Sequence, residues 1–195
     1  GALVADKLRA FGCDRVVTGM AKTGVVGVIH GKNGGAGRVI GLRADMDALP
    51  IAEATGAAYA SQTPGVMHAC GHDGHTAILL GAAQYLAETR NFSGTVVVIF
   101  QPAEEGGGGA KVMCDEGLMA DFGIEEVYGM HNWPGMPAGS FAIRPGPFFA
   151  ATDVFEIALT GRGGHAAKPH TTVDPIVMSA QIITMLQTIA SRSAD

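Results

Sequence analysis

Apolar positions along the chain recur with two different periods, and the switches between them mark the elements. Residues 2–11, ALVADKLRAF, carry apolar side chains at helical spacing and stop before Gly12, which predicts an opening helix. The runs VVGVI at 25–29 and RVIGLRA at 38–44 read as strands, and the glycine-rich residues 32–37 between them read as a hairpin-type turn. Residues 77–83, AILLGAA, begin a helix expected to reach about Arg90. TVVVIF at 95–100 is apolar without interruption, the pattern of a central strand covered on both faces. Residues 111–117 predict a short helix, EEVYGM at 125–130 a strand and SFAIR at 140–144 another. Pro145-Gly146-Pro147 breaks the chain and places a domain boundary near Phe148, with residues 1–147 in one domain and 148–195 beginning another. DVFEIAL at 153–159 alternates strictly, as a half-exposed strand of an antiparallel sheet does. Asp174-Pro175 then opens a helix expected to run to about Arg192. Strands alternating with helices predict an α/β fold of three layers.

The candidate chemistry sits where strands stop and helices start. Met67-His68-Ala69-Cys70-Gly71-His72-Asp73-Gly74-His75 packs one thiol and three imidazoles just before an apolar helix. Thiolate and neutral imidazole are ligands for zinc and related ions. A structural zinc knuckle would need a second Cys/His pair at short spacing, and none follows, so a catalytic metal is favoured. Asp45 and Asp47 end one expected strand, where they are either site groups or a solvated turn. Glu104 and Glu105 end the central strand, and His131 ends the next. Together these groups are too many for one tetrahedral ion and suit two. Adjacent side chains at a strand end point in different directions, so one glutamate can bind metal while the other moves a proton. The plainer reading has both capping a helix N-terminus.

Composition narrows the partners. Hydrophobic residues make up 47% of the chain, enough to bury a core, and charged residues only 16%. The net charge is −5 and there is no Lys/Arg cluster, which argues against nucleic acid and membrane surfaces as partners. No apolar run approaches the roughly 18 residues a membrane span needs. Three widely spaced cysteines read as reduced thiols, and a cytoplasmic location is expected. Gly109-Ala110-Lys111-Val112 lacks the Gly-Lys-Ser/Thr core of a phosphate loop, and two glutamates precede it.

Five motifs, HACGHDGH (68–75), QPAEEG (101–106), GMHNWPG (129–135), RADMDALP (43–50) and GRGGHAAKPH (161–170), together resemble the metal-dependent aminoacylase/carboxypeptidase family. The branch is that of hippurate hydrolases, indole-acetyl-amino-acid hydrolases and N-acetyl-diaminopimelate deacetylases. The resemblance implies a zinc-exopeptidase-like catalytic domain interrupted by an α+β lid and dimerisation domain. It implies a hydrolase of the amide bond of N-acyl amino acids using two divalent ions, Zn or Mn. A dipeptidase or carboxypeptidase with the same ions is the alternative, and a non-catalytic binding protein a third. By the same resemblance Cys70, His72, Glu105 and His131 are the metal ligands. Glu104 is the general base acting on metal-held water, and His165 is a lid histidine reaching a substrate oxygen. Asp45 and Asp47 support the ligands from behind. His68 and His75 flank the ligands and orient them rather than bind metal, and Trp133 is read as a packing residue. A homodimer through the lid domain is expected. The family pattern continues to a further ligand histidine, so the chain is expected to be an internal fragment. Alone, it is expected not to hydrolyse N-acetyl or N-benzoyl amino acids in an activity assay.

Overall fold

The uninterrupted apolar run becomes the middle of the sheet. The computed structural model describes residues 1–33, 37–149 and 153–193. In chain order its regular elements are α1 (Ala2–Ala10), β1 (Arg15–Met20), β2 (Gly24–His30), β3 (Val39–Asp45), α2 (His72–Thr89), β4 (Thr95–Gln101), α3 (Gly109–Asp115), α4 (Leu118–Asp121), β5 (Glu126–Gly129) and α5 (Pro175–Thr188). The sheet order is β1-β2-β4-β3-β5. β4 lies antiparallel to β2, with Val26 opposite Ile99, and parallel to β3, with Leu42 opposite Val98. β5 is parallel to β3.

Successive residues of β4 feed different layers, which is why its run is apolar throughout. Val98 and Phe100 pack with Leu8 of α1 and with Leu79, Ala83 and Ala87 of α2. Val97 and Ile99 pack with Met113 of α3 and Leu118 of α4 on the other face. The helix–sheet–helix sandwich expected of an α/β chain is therefore present in this unit. Phe100 and Leu8 are fully buried, and each contributes about 2–3 kcal/mol of transfer free energy.

Parallel pairing puts the C-terminal ends of β3, β4 and β5 on one rim, with Asp45 opposite Gln101 and Arg43 opposite Gly129. The segments bearing Asp47, Glu104, Glu105 and His131 leave the sheet there. The buried stripe of α2 is His72, His75, Leu79, Ala83 and Ala87, at spacings of three and four. Its first members are histidines, so the face that docks α2 on the sheet also delivers two imidazoles to that rim.

The strand reading needs three corrections. β1 went unread because the turn joining it to β2 holds Ala21 and Lys22 in left-handed conformations, without the Asn-Gly or Asp-Gly signal. The turn expected over 32–37 includes residues 34–36, which lie outside the described residues. The two strands it joins are not paired with each other, because β4 lies between them. Residues 140–144 and 153–159, expected as strands, form none. A strand exists by pairing, and no described segment lies along either run to accept its ladder bonds. Val154 and Phe155 are exposed accordingly.

The chain divides into two compact units, Gly1–Ala138 and Gly139–Asp195. Within the second, Arg162 and Val173 form an isolated antiparallel bridge around a turn of 3-10 helix at Pro169–Thr171. Asp174 caps α5 by accepting from the Ile176 N–H at 2.8 Å, and Pro175 takes the first helical position. Among the described residues no helix is long and apolar enough to cross a membrane.

The loop bearing the two glutamates closes back on α3, with the Gly109 N–H donating to the Ala103 carbonyl at 3.0 Å. A Cβ on Gly109 would lie 1.8 Å from the Pro102 carbonyl oxygen, a backbone atom that cannot swing aside. Gly109→Ala is expected to destabilise by about 2 kcal/mol or more, in the range of overpacked sites, and to lower the melting temperature in a thermal scan. An unchanged melting temperature would show that this loop is free to move.

Candidate metal centre

Gly71 caps α2 in the left-handed region, φ +84°, which turns the chain from the Cys70 loop into the helix. A Cβ at Gly71 would meet the Asn132 side-chain amide at 2.3 Å, so a larger residue there would displace that side chain. Cys70 and His131 meet, Sγ to Nε2 at 3.5 Å.

Hydrogen bonds sort the imidazoles by what each leaves over. His72 is fully buried, and its Nδ1 lies 3.0 Å from the Asp47 carbonyl oxygen, to which Nδ1–H donates. Its Nε2 is buried without a hydrogen-bond partner. That lone pair faces Asp45 Oδ2 at 3.8 Å, Glu104 Oε2 at 3.9 Å and Glu105 Oε1 at 3.9 Å. These gaps are too long for hydrogen bonds. For the two glutamates they suit atoms sharing a cation with Nε2, since donors about 2.0–2.2 Å from one ion stand between 3 and 4 Å apart; Asp45 Oδ2 is held by Arg43. His131 repeats the arrangement, its Nδ1 2.6 Å from the Asn132 carbonyl oxygen and its Nε2 toward the Cys70 sulfur. A backbone carbonyl on Nδ1 is what fixes the tautomer of a metal-binding histidine. Cys70, His72 and His131 form one cluster whose ligand atoms lie within 4.8 Å of one another, and His72, Glu104 and Glu105 form a second. His72 belongs to both but has only its Nε2 lone pair to give, so it can bind one ion, and the other donors of the two clusters remain for a second.

The remaining expected residues are placed as follows. Asp45 is buried, with Oδ2 on Arg43 Nη1 at 2.7 Å and Oδ1 on His75 Nδ1 at 2.6 Å. Asp47 Oδ2 accepts from the Glu105 N–H at 2.9 Å, while its buried Oδ1 sits 3.3 Å from His72 Nδ1 without a hydrogen bond. Burial pushes the Asp47 carboxyl up, but N–H groups of Glu105 and Glu104 outweigh this and hold it below the usual range. Glu104 is the more open of the glutamates, 44% exposed against 27% for Glu105. Ala103 before them has φ +54°, a strained conformation for a residue with a Cβ, at the corner that turns both carboxylates inward. His165 lies in the second unit, exposed, its Nδ1 accepting from the Ala167 N–H at 3.1 Å. His68 is exposed; Trp133, read as a packing residue, is 59% exposed and stands edge-on to His131. Sequence reasoning missed Arg43 and Asn132, both inside quoted motifs, since neither is a metal ligand by type.

Residues 41–193 match the model of peptidase family M20/M25/M40. The chain belongs to that family. The hippurate hydrolase of Campylobacter jejuni is 49% identical over 193 residues, which cover 99% of this chain and 49% of that protein. The N-acetyldiaminopimelate deacetylase of Exiguobacterium sibiricum is 45% identical, over 100% of this chain and 52% of its own length. Among solved structures, the Bacillus subtilis YXEP protein, a dinuclear metal binding peptidase from the M20 family, superposes with a TM-score of 0.69 at 40% identity, over 75% of this chain and 40% of that one. The chain thus spans about half the length of the curated relatives it matches. With them, the M20 fold of the first unit is established.

Without metal the Cys70 thiol is pushed up to about 11, first by burial, then by its hydrogen bond to Glu105 and the charges of Glu105, Glu104 and Asp45. It is therefore protonated at neutral pH, and a metal ion that binds it as thiolate must expel a proton. Affinity should rise with pH anywhere below that value, by up to about tenfold per unit from this ligand alone. Proton release on Zn²⁺ binding, measured in two buffers of different ionisation enthalpy, should fall by about one in Cys70→Ala. Equal release by both proteins would remove Cys70 from the ligands.

Proposed function

We propose that the protein to which this chain belongs hydrolyses the amide bond of N-acyl amino acids with two divalent ions. The observation that carries the reading is the His72 Nε2 lone pair, buried and ringed by carboxylates, with the open Glu104 beside it. Two relatives, a hippurate hydrolase and an N-acetyldiaminopimelate deacetylase, 49% and 45% identical to the chain over about half of their own length, support the substrate class.

Cys70, His72, Glu105 and His131 would hold the ions. Bound there, divalent ions supply Lewis-acid polarisation of a carbonyl and acidify water. Cys70 favours the softer Zn²⁺, while the carboxylates also admit Mn²⁺. Of the glutamates, Glu105 is the less exposed, with its N–H held by the Asp47 carboxylate. Glu104 is the freer, which suits it to take a proton from attacking water and return it to the departing amine. Asp47 orients His72 through its carbonyl oxygen and the Glu105 segment through its carboxylate. His165, on a loop with Gly163 and Gly164, would donate a hydrogen bond to the developing oxyanion. The exposed apolar residues Ile176, Ile183, Met185 and Ile189 of α5 and the turn after it support a homodimer through the second unit. The three reduced cysteines support a cytoplasmic location.

Elemental analysis of the full-length protein should find about two metal equivalents per subunit, and a chelator should abolish hydrolysis of N-benzoyl and N-acetyl amino acids. Preference for free dipeptides or C-terminally extended peptides would move the reading to a dipeptidase or carboxypeptidase. Glu104→Gln should keep its metal and lose about 10²-fold or more in kcat, whereas Glu105→Gln should lose metal. The reverse outcome would exchange their roles. His165→Ala should lower kcat by about 10²–10³-fold with metal content unchanged, and an unaltered kcat would leave it no catalytic part.

A further inference from the structure

One buried imidazole is not used by that mechanism. Asp45, His72 and His75 are all buried, and their ligand atoms lie within 4.8 Å of one another, so the three could be taken for a further cation site. The hydrogen bonds exclude it. Asp45 Oδ1 is 2.6 Å from His75 Nδ1, and Oδ2 is 2.7 Å from the Arg43 guanidinium. His75 Nε2 accepts from the Asn132 backbone N–H at 2.9 Å. That bond fixes the tautomer, with the proton on Nδ1 and donated to Asp45. Unlike His72, His75 has no lone pair left for a metal.

What His75 holds is the segment that presents His131. β5 ends at Gly129, so the residues after it leave the ladder. Asn132 is gripped from α2, its backbone N–H on His75 and its side-chain amide on the Gly71 carbonyl at 3.2 Å. The Asn132 carbonyl oxygen then takes the His131 Nδ1–H at 2.6 Å, which turns His131 Nε2 toward Cys70. The rings of His75 and His131 pack edge to face, 4.6 Å between centroids. Behind His75, Asp45 is itself fixed, because Arg43 Nε donates to Gln101 Oε1 at 2.8 Å and Thr76 Oγ1 donates to the Asp45 carbonyl at 3.0 Å. An unbroken series of hydrogen bonds therefore runs from the end of β4 to the His131 ring. A buried carboxylate and imidazole with a partly buried guanidinium seldom stabilise a fold better than apolar groups of the same size. Their geometric result here is one imidazole aimed at one place.

We infer that His75 is a positioning residue: backed by Asp45, it holds the Asn132 backbone and so aims His131 at the metal. The inference rests on His131 being a metal ligand. It is tested with the full-length protein by competing Zn²⁺ against a chelating dye, at a temperature well below the melting point of each metal-free variant. His75→Ala should weaken Zn²⁺ binding by about 10–100-fold, as loss of a group orienting a ligand does. His75→Gln places a carbonyl oxygen near the position of Nε2, keeps an acceptor for the Asn132 N–H, and should recover most of that affinity. His75→Asn keeps only a donor toward Asp45 and should not. If His75→Ala does not fold, the difference between the Gln and Asn variants decides. Unchanged Zn²⁺ affinity in all variants, with lowered melting points, would make His75 a structural residue and overturn the inference. So would equal affinities for the Gln and Asn variants. Failure of the wild-type protein to bind Zn²⁺ would instead sink the metal reading itself, and binding without hydrolysis would sink only the proposed reaction.

Discussion

A single nitrogen lone pair sets the terms for the rim of this sheet. His72 Nε2 is buried with no hydrogen-bond partner and has three carboxylates within 3.9 Å. Crowding anionic oxygens around a desolvated acceptor is unfavourable unless a cation joins them. The rest of the architecture serves to bring that lone pair and those oxygens together. α2 buries His72 as the first residue of its apolar stripe, and parallel pairing of β3 and β4 aims their carboxyl-bearing ends the same way.

Much of this was legible in the chain. The uninterrupted run at 95–100 had to be the central strand, because only a strand covered on both faces can be apolar on both. A helix after the Cys70 loop followed from the apolar run at 77–83, though it starts five residues earlier, at His72, and takes in two histidines read as loop, and strand ends carrying Asp45, Glu104 and His131 implied one rim. Other parts were hidden for physical reasons. β1 sits at the edge behind a turn made by Ala21 and Lys22, which carry no turn signature. The alternation at 153–159 is a genuine property of those residues, yet alternation says which face would be wet, not whether a neighbour exists to pair with.

The histidines show the limit most clearly. His72 and His75 share one motif, one helix and one buried stripe, and spacing alone cannot tell a ligand from a prop. Their difference lies in Asn132, whose N–H occupies one Nε2 and leaves the other bare. That contact arises from tertiary folding and is written in no local pattern. Gly71 leaves room beside it for the Asn132 side-chain amide, which a Cβ there would strike.

The donors around His72 come from four separate segments, after β3, at the head of α2, after β4 and after β5. None of these places exists in a chain whose sheet has not yet closed, since β4 must insert between β2 and β3 before the rim is defined. Non-local pairing of this kind is slow to form and costly in loop entropy. Ions held there would therefore be captured late on the folding route rather than seed it. Ions held tightly by the folded state alone would make their free concentration act as a thermostat on the population of finished molecules through mass action.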